Sequence, residues 1–158
     1  MKFFAMDDVD SKIIRALQND GRMTVIDLAE HVGLSPTPCA RRLDRLQRDG
    51  IITGYAAQVD PERLGFGVTI FVSVELEKQD RNAIDSFEKA IRRCDEVMEC
   101  YLMTGSRDIL LRVVAKDLNA FDAFLENRLM KISGIRNLRS NFALRTMVKR
   151  EVLPQHHG

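Results

Sequence analysis

Apolar residues recur along the first 50 positions at the spacing of amphipathic helices, and this pattern changes near residue 51. In the first segment Val9, Ile13 and Leu17 stand four residues apart, which places them on one helical face. Either Asp7 or Asp8 is positioned to cap the N terminus of that helix. The pattern therefore predicts a first helix that buries one side and exposes the other.

Two further helices are predicted from their capping signals. Thr24 is followed three residues later by Asp27, a form of the capping box, and Gly33 marks the end of that helix. Ser35 followed by Pro36 is typical of a helix start, because the N–H that proline lacks at this position has no partner inside the helix. The first 50 residues are thus expected to form three short helices joined by tight connections.

Strand signals begin directly after the third helix. Residues 51–53 and 55–59 are interpreted as two short strands around a turn at Gly54. Pro61 and the glycines that follow it predict a linker over residues 61–67.

From residue 68 onward, strand and helix patterns alternate. Residues 68–76 alternate apolar with polar side chains, as expected of a half-buried strand, and strands 97–104 and 108–115 are joined by a tight turn at Gly105. Two further helices are predicted, one with Ile84, Phe87 and Ile91 on a shared face and one with Leu118, Phe121, Leu125 and Leu129 on a shared face. A last strand follows Gly134, with Leu138, Ser140, Phe142 and Leu144 at its alternate positions. The order β-α-β-β-α-β is the ferredoxin-like arrangement, so the chain is predicted to be an α+β protein.

Composition places the chain among ordinary globular proteins and makes any DNA-binding signal a local one. The 158 residues are 45% hydrophobic and 30% charged, with a formal net charge of +1. A general polyanion binder is expected to be more basic than this. Residues 1–60 hold eight basic and nine acidic side chains, yet four of the bases fall within residues 41–48.

Three cysteines, Cys39, Cys94 and Cys100, have neither C-x-x-C spacing nor a nearby histidine. They predict no disulfide framework and no zinc site, and they are expected to be reduced and mostly buried. Acidic residues follow residues 1–6 before a signal-peptide core is formed, and no long apolar run is present. The expected location is the cytoplasm, and no cofactor is expected.

The third predicted helix carries two stripes on opposite sides. Residues four and seven apart share a helical face, so the stripes can be assigned from spacing alone. The apolar stripe holds Cys39, Leu43 and Leu46, the basic stripe holds Arg41, Arg45 and Arg48, and Arg42 lies on the flank. A short helix that buries one side and directs arginines outward, preceded by a capped helix and a glycine turn, is typical of a helix-turn-helix.

A guanidinium group suits DNA because it can bind phosphate or form two hydrogen bonds with the O6 and N7 edge of guanine. The hydroxyls and amides at the start of the helix are placed for phosphates or base edges. The alternative is a solvated helix face whose charge is balanced by Asp44 and Asp49. The predicted DNA-binding residues are Ser35, Thr37, Pro38, Arg41, Arg42, Arg45 and Arg48.

The predicted domain organisation follows from these elements. Residues 1–60 form a helix-turn-helix domain with short strands, and residues 61–67 are a linker. Residues 68–150 form a ferredoxin-like domain, and residues 151–158 are a tail that ends in two histidines and a glycine.

Several segments of the sequence resemble the Lrp/AsnC family of leucine- and asparagine-responsive regulators. The most specific is Pro36-Thr37-Pro38-Cys39 within residues 32–39, accompanied by matches at residues 19–22, 28–29, 41–43, 50–55, 99–101 and 105–111. The resemblance covers nearly the whole chain. It implies an αβ-sandwich domain that pairs into homodimers, which associate into tetramers, octamers or larger assemblies on double-stranded DNA. It also implies an amino-acid effector and a sequence-specific transcription regulator.

The resemblance places the effector at the turn between the second and third strands. The implied effector-binding residues are Met103, Thr104, Gly105, Ser106, Arg107, Asp108 and Ser140. Chemistry agrees, since turn amides bind a carboxylate and an aspartate binds an ammonium group, favouring an aliphatic or sulfur-containing amino acid over an acidic one. The alternative is that residues 105–108 are only a hairpin turn. Ile109, where the family often has an aromatic residue, and the charge of Arg107 leave the effector's identity open.

Two other function classes are weighed against this hypothesis. The sequence has no phosphate-binding glycine loop, metal-ligand cluster or nucleophile motif, so it is not expected to be an enzyme. The other alternative is a ligand-binding or protein-interaction module that does not bind DNA. Salt-dependent retention on duplex DNA distinguishes that module from a regulator.

Overall fold

The structure is a computed structural model that describes residues 6–154. The chain divides into two units, one formed by the chain up to residue 58 together with the segment from residue 148, the other by residues 59–147. Residues 148–154 therefore group with the first unit and not with the last strand. The expectations about residues 1–5 and the histidine tail lie outside the described residues.

Three helices form the first unit, as predicted: α1 (Asp8–Asn19), α2 (Val25–Val32) and α3 (Pro36–Arg48). Asp7, not Asp8, caps α1, because its side chain accepts a hydrogen bond from the backbone N–H of Asp10. Thr24 caps α2 in the same way, and Gly33 ends that helix at a φ of 75°. The helix-turn-helix order is thus built from local signals.

The cap of α3 is different because of proline. Ser35 stands at the N-cap but makes no side-chain hydrogen bond with the helix. An N-cap side chain normally accepts from the second or third helical N–H, and Pro38 at the third position has none. The Ser35 hydroxyl is consequently not used by the helix cap.

The core of the first unit lies between the three helices. Its buried hydrophobic residues are Ile13, Ala16, Leu17, Leu28, Ala29, Val32, Cys39 and Leu46. Cys39 and Leu46 are completely buried and Leu43 is partly buried, which confirms the predicted apolar stripe of α3.

The short strands predicted at residues 51–53 and 55–59 are wrong, since neither segment is a strand. The N–H groups of Ile51 and Ile52 donate to the carbonyl oxygen of Leu46, at 3.0 and 3.1 Å. These amides therefore cap the C terminus of α3 and are not available to a strand ladder.

The second unit confirms the predicted ferredoxin-like order. Its elements are β1 (Val68–Leu76), α4 (Arg81–Ile91), β2 (Val97–Leu102), β3 (Ile109–Ala115), α5 (Leu118–Asn127) and β4 (Ile135–Phe142), with a 3-10 turn at Leu129–Lys131. The strands form one sheet in the order β2-β3-β1-β4, with every neighbouring pair antiparallel. The turn between β2 and β3 is thus a hairpin connection at one end of the sheet.

Both helices of the second unit pack on one face of this sheet, but two predicted core positions are exposed. Leu118 is 61% exposed as the first residue of α5, and the helix packs instead through Phe121 and Phe124. Leu144 is 99% exposed, because β4 ends at Phe142 and the chain then leaves the sheet. Phe142 itself meets the ring of Phe121 edge-on, with centroids 5.5 Å apart.

Candidate functional site

The four arginines of α3 do not form one outward stripe. Arg41 and Arg48 are exposed, on the side away from the buried Cys39 and Leu46. The side chains of Arg42 and Arg45 are 29% and 43% exposed and are paired with carboxylates of α1. The expectation that Arg45 projects outward with Arg41 and Arg48 is therefore wrong.

Asp10 is the centre of this pairing and is only 1% exposed. Its Oδ1 accepts a hydrogen bond from Arg42 Nη1 at 2.9 Å, and its Oδ2 accepts one from Arg45 Nη2. Arg42 Nη1 also donates to Asp7 Oδ2 at 2.6 Å. We call these four residues, Asp7, Asp10, Arg42 and Arg45, the Asp10 cluster. The cluster joins the first turn of α1 to the middle of α3.

The two carboxylates are also held by the capping box of α1. The backbone N–H of Asp10 donates to Asp7 Oδ1 at 2.8 Å, and the N–H of Asp7 donates to Asp10 Oδ2 at 3.3 Å. The hydrogen bond from the Asp10 backbone, followed by that from Arg42, lowers the pKa of Asp7 below its usual value. Asp7 therefore stays ionised and available to Arg42 at neutral pH.

The alternative in which the arginines are balanced by acids of α3 itself is not observed. Within residues 6–154, neither Asp44 nor Asp49 forms an ion pair through its carboxylate with an arginine of α3. Arg48 Nε makes a long hydrogen bond of 3.4 Å with the backbone carbonyl of Asp44. A signal for the true partner was present in the sequence: Asp10 stands three residues before Ile13, at a position of α1 that faces the core.

The start of α3 leaves its polar groups at the surface. Ser35 and Thr37 are exposed and Pro38 is partly buried. The N–H of Cys39 donates to Ser35 O at 3.3 Å, and the prolines on either side of Thr37 have no N–H. Thr37 therefore supplies the one unused amide of this turn, beside its own hydroxyl and that of Ser35.

In the second unit, the turn between β2 and β3 is fixed by Asp108, which is 9% exposed. Its Oδ2 accepts a hydrogen bond from the N–H of Leu76 at 2.7 Å, and its own N–H donates to Val74 O at 3.1 Å. The N–H of Met103 closes the hairpin by donating to Asp108 O at 2.8 Å. One oxygen of the predicted effector-binding carboxylate thus anchors the turn to the end of β1.

The rest of the turn is open. Met103, Thr104, Gly105 and Ser106 are exposed, and Gly105 has a φ of 116°, which favours glycine. Arg107 is partly buried and its Nη1 donates to Glu75 at 3.2 Å; Arg136 lies 3.5 Å from the same carboxylate. The charge of Arg107 is therefore already compensated within the unit.

Ser140 is not brought to this turn. The register pairs Ser140 with Val72 on one side of β1, while Ile109 at the base of the turn pairs with Val74 on the other side. Two strand spacings separate β3 from β4, roughly 10 Å. Ser140 lies on the helix-covered face, at the level of the core.

A cavity of about 430 Å³ lies between α4 and β2. Its apolar lining includes Ile84, Phe87, Ile91, Met98, Leu102 and Ile109. Leu102 and Ile109 flank the β2–β3 turn directly, so the cavity begins at the base of that turn. A larger cavity of about 470 Å³ lies in the first unit between α1 and residues 51–55, and none of the predicted site residues lines it.

Residues 6–154 hold no group of three or more histidine, cysteine or acidic side chains arranged for a metal ion. Cys39 and Cys94 are buried and Cys100 is exposed, and all three are free thiols. No helix in this part of the chain is both long enough and apolar enough to span a membrane.

Two protein families match this chain, one over its N-terminal helices and one over the rest of the chain. Residues 6–53 match a winged helix-turn-helix DNA-binding family, and residues 69–153 match the Lrp/AsnC ligand-binding domain. The first match covers α1, α2 and α3, and the second covers the sheet and its two helices. The predicted helix-turn-helix is thereby confirmed.

Individual relatives match this chain over most of their length. The Bkd operon transcriptional regulator of Pseudomonas aeruginosa is 47% identical over 149 residues, which are 94% of this chain and 97% of that protein. The leucine-responsive regulatory protein of Escherichia coli is 35% identical over 135 residues, 85% of this chain and 82% of that protein. A solved transcriptional regulator of Neisseria meningitidis in complex with L-methionine has a TM-score of 0.91 and 36% identity, covering 97% of this chain and 99% of that one.

Proposed function

The chain belongs to the Lrp/AsnC family of transcriptional regulators, and from this premise we propose how it binds DNA and its effector. It is a DNA-binding transcription regulator with a separate ligand-binding domain that responds to an amino acid. In our proposal α3 lies in the major groove, and the β2–β3 turn binds the amino acid. Such a regulator acts on DNA in the cytoplasm.

The observation that carries the DNA proposal is the exposure of Arg41 and Arg48 on the side of α3 opposite its buried stripe. Neither side chain forms an ion pair within residues 6–154, so both guanidinium groups are available to a phosphate or a guanine edge. Ser35 and Thr37 add two hydroxyls and one amide at the start of the same helix, and in our proposal the ring of Pro38 packs against the DNA at this first turn.

Retention on random duplex DNA tests this function. Phosphate neutralisation releases counterions, so the logarithm of the affinity should fall linearly with the logarithm of the salt concentration. A protein-interaction module with no DNA affinity would not be retained at any salt concentration, and that result would overturn the proposal.

The effector proposal is supported by the shape and charge around the β2–β3 turn. Exposed turn amides suit a carboxylate, Asp108 can accept from an ammonium group through its second oxygen, and the adjacent cavity is lined mostly by apolar side chains, with Glu88, Arg92 and Glu99 also in its lining. Because Glu75 already pairs with Arg107, an acidic effector gains little from that arginine. An aliphatic or sulfur-containing amino acid fits best, and the Neisseria meningitidis relative was solved with L-methionine. Ser140 would contact the amino acid only if the ligand extended from the turn to the helix-covered face of the sheet.

Replacing Asp108 with asparagine should weaken binding of L-methionine and L-leucine. The variant keeps an acceptor for the Leu76 amide but loses the charge that faces the ammonium group, which costs about 1.5–3 kcal/mol, or roughly ten- to hundredfold in affinity. Calorimetry measures the affinity, and gel shift of the effector-free protein should be unchanged.

The control is Asp122→Asn, which removes an exposed carboxylate from α5 in the same unit. Its affinity for both amino acids should equal that of the wild type. If Asp108→Asn and Asp122→Asn bind equally well, the ammonium group does not lie at Asp108.

We propose that the chain forms homodimers, which associate into tetramers, octamers or larger assemblies. The face of the sheet that no helix covers is the proposed interface. Phe71 of β1 and Tyr101 of β2 are exposed there, at 38% and 51%. The residues that pair with Phe71 and Tyr101 on the neighbouring strands lie on the same face of the sheet, and neither α4 nor α5 covers this face. The face combines these aromatic side chains with polar ones, since Arg112 and Asn141 lie opposite Phe71, and such a mixture is typical of an interface. Sedimentation of the full chain measures the subunit number.

A further inference from the structure

The Asp10 cluster places a buried carboxylate behind the proposed DNA-reading helix. Burying a charge is costly unless it is paired and hydrogen-bonded. Asp10 meets both conditions, because each of its oxygens accepts from a different guanidinium of α3. A buried carboxylate held in this way fixes where those two arginines point.

The arginines remain partly at the surface. Arg42 uses Nη1 for both carboxylates of the cluster, and its side chain is 29% exposed; that of Arg45 is 43% exposed. Within the cluster two negative charges compensate two positive ones. The net positive charge that α3 presents is therefore left to Arg41 and Arg48, both of which are exposed.

We propose that Asp10 is a positioning residue for DNA recognition. It sets α3 against α1 through Arg42 and Arg45 and prevents these two arginines from binding phosphates wherever the helix meets DNA. Sequence discrimination then depends on Arg41, Arg48 and the first turn of α3. This inference rests on the proposed DNA-binding role of α3.

The alternative is that the cluster stabilises the fold and nothing more. The two roles differ in what happens to non-specific binding. Loss of stability lowers affinity for every DNA sequence together. Loss of positioning lowers affinity for the preferred sequence, while a released arginine raises affinity for any phosphate backbone and makes it more salt-dependent.

The test compares Asp10→Asn with the wild type on two duplexes: one selected by the wild-type protein from a randomised library, and a shuffled duplex of the same composition. Asp10→Asn should lose roughly ten- to hundredfold in affinity for the selected duplex, as expected when base contacts are misplaced. Affinity for the shuffled duplex should rise, and its salt slope should steepen by about one, because Arg45 is released while Arg42 keeps its ion pair with Asp7.

Asp8→Asn is the matched control, since it removes the same charge from the neighbouring exposed position of α1. It should change both affinities in the same direction and leave their ratio intact. If Asp10→Asn fails to fold, Asp7→Asn replaces it: Arg42 and Arg45 are then left with the single carboxylate of Asp10, so the cluster gains one net positive charge and the salt slope should steepen by about one.

Two results overturn the inference separately from the proposed function. If the wild type prefers its selected duplex and the folded Asp10→Asn protein keeps the same preference, Asp10 does not position the arginines. If both affinities fall together with an unchanged salt slope, the cluster is structural only. If the wild type binds neither duplex, the proposed function fails and the inference fails with it.

Discussion

The double variant Arg41→Ala/Arg48→Ala is expected to lose most of the specific DNA affinity of the protein. Each arginine that contacts a base or phosphate contributes about 1–3 kcal/mol, and two sites seven residues apart on one helix should act nearly independently. The combined loss is therefore about 2–6 kcal/mol. Both side chains are exposed, so the fold should keep its thermal stability. Fluorescence anisotropy with a selected duplex measures the change.

The salt dependence of the same titration tells what each arginine contacts. A salt slope reduced by about one for each substitution indicates a phosphate contact, whereas an unchanged slope with lower affinity indicates a base contact. Arg22→Ala is the control, because Arg22 is an exposed arginine of the same unit outside α3. A double variant that binds as tightly as this control would show that α3 does not contact DNA through Arg41 and Arg48.

Arg45→Ala is a poor test of the same question. It would remove the partner of one oxygen of Asp10 and leave a buried carboxylate incompletely paired, which is typically destabilising by several kcal/mol. If that variant lost DNA binding, the cause could be the destabilised fold and not the loss of a contact between Arg45 and DNA. Only arginines whose side chains are not bound to a buried carboxylate, such as Arg41 and Arg48, therefore give a clear test of DNA contact by α3.

Local signals in the sequence were sufficient for most of the fold. Asp7, Thr24 and Ser35 mark the starts of the three helices because caps act within one turn, and the alternation from Val68 to Leu76 gives β1 at its observed bounds. The short strands predicted after α3 failed for a local reason as well. The amides of Ile51 and Ile52 donate to the carbonyl oxygen of Leu46, in the last turn of α3.

The candidate site depended on contacts between distant residues, which periodicity does not reveal. The pairing of Arg45 with Asp10 spans 35 residues, and that of Asp108 with the Leu76 amide spans 32. A helical wheel places Arg45 with Arg41 and Arg48, but the buried charge of Asp10 turns it toward α1. The residue types of the site were predictable, while the role of each depended on its partner in the fold.

Leu46→Ala should unfold the first unit in part and abolish DNA binding while leaving the second unit intact. Leu46 is completely buried, and its carbonyl accepts the two amides that end α3. A leucine-to-alanine change at such a site costs about 2–5 kcal/mol. A unit of this size has only a few kcal/mol of stability, so the loss should leave a large fraction of it unfolded.

Leu111→Ala is the matched substitution in the other core, since Leu111 is also completely buried, in β3. Because each unit has its own hydrophobic core, the two variants should have opposite effects. Leu46→Ala should retain calorimetric binding of L-methionine and lose the gel shift, whereas Leu111→Ala should weaken amino-acid binding first. Differential scanning calorimetry should show a different transition lowered in each variant. A single transition lowered equally by both substitutions would mean that the two cores unfold as one.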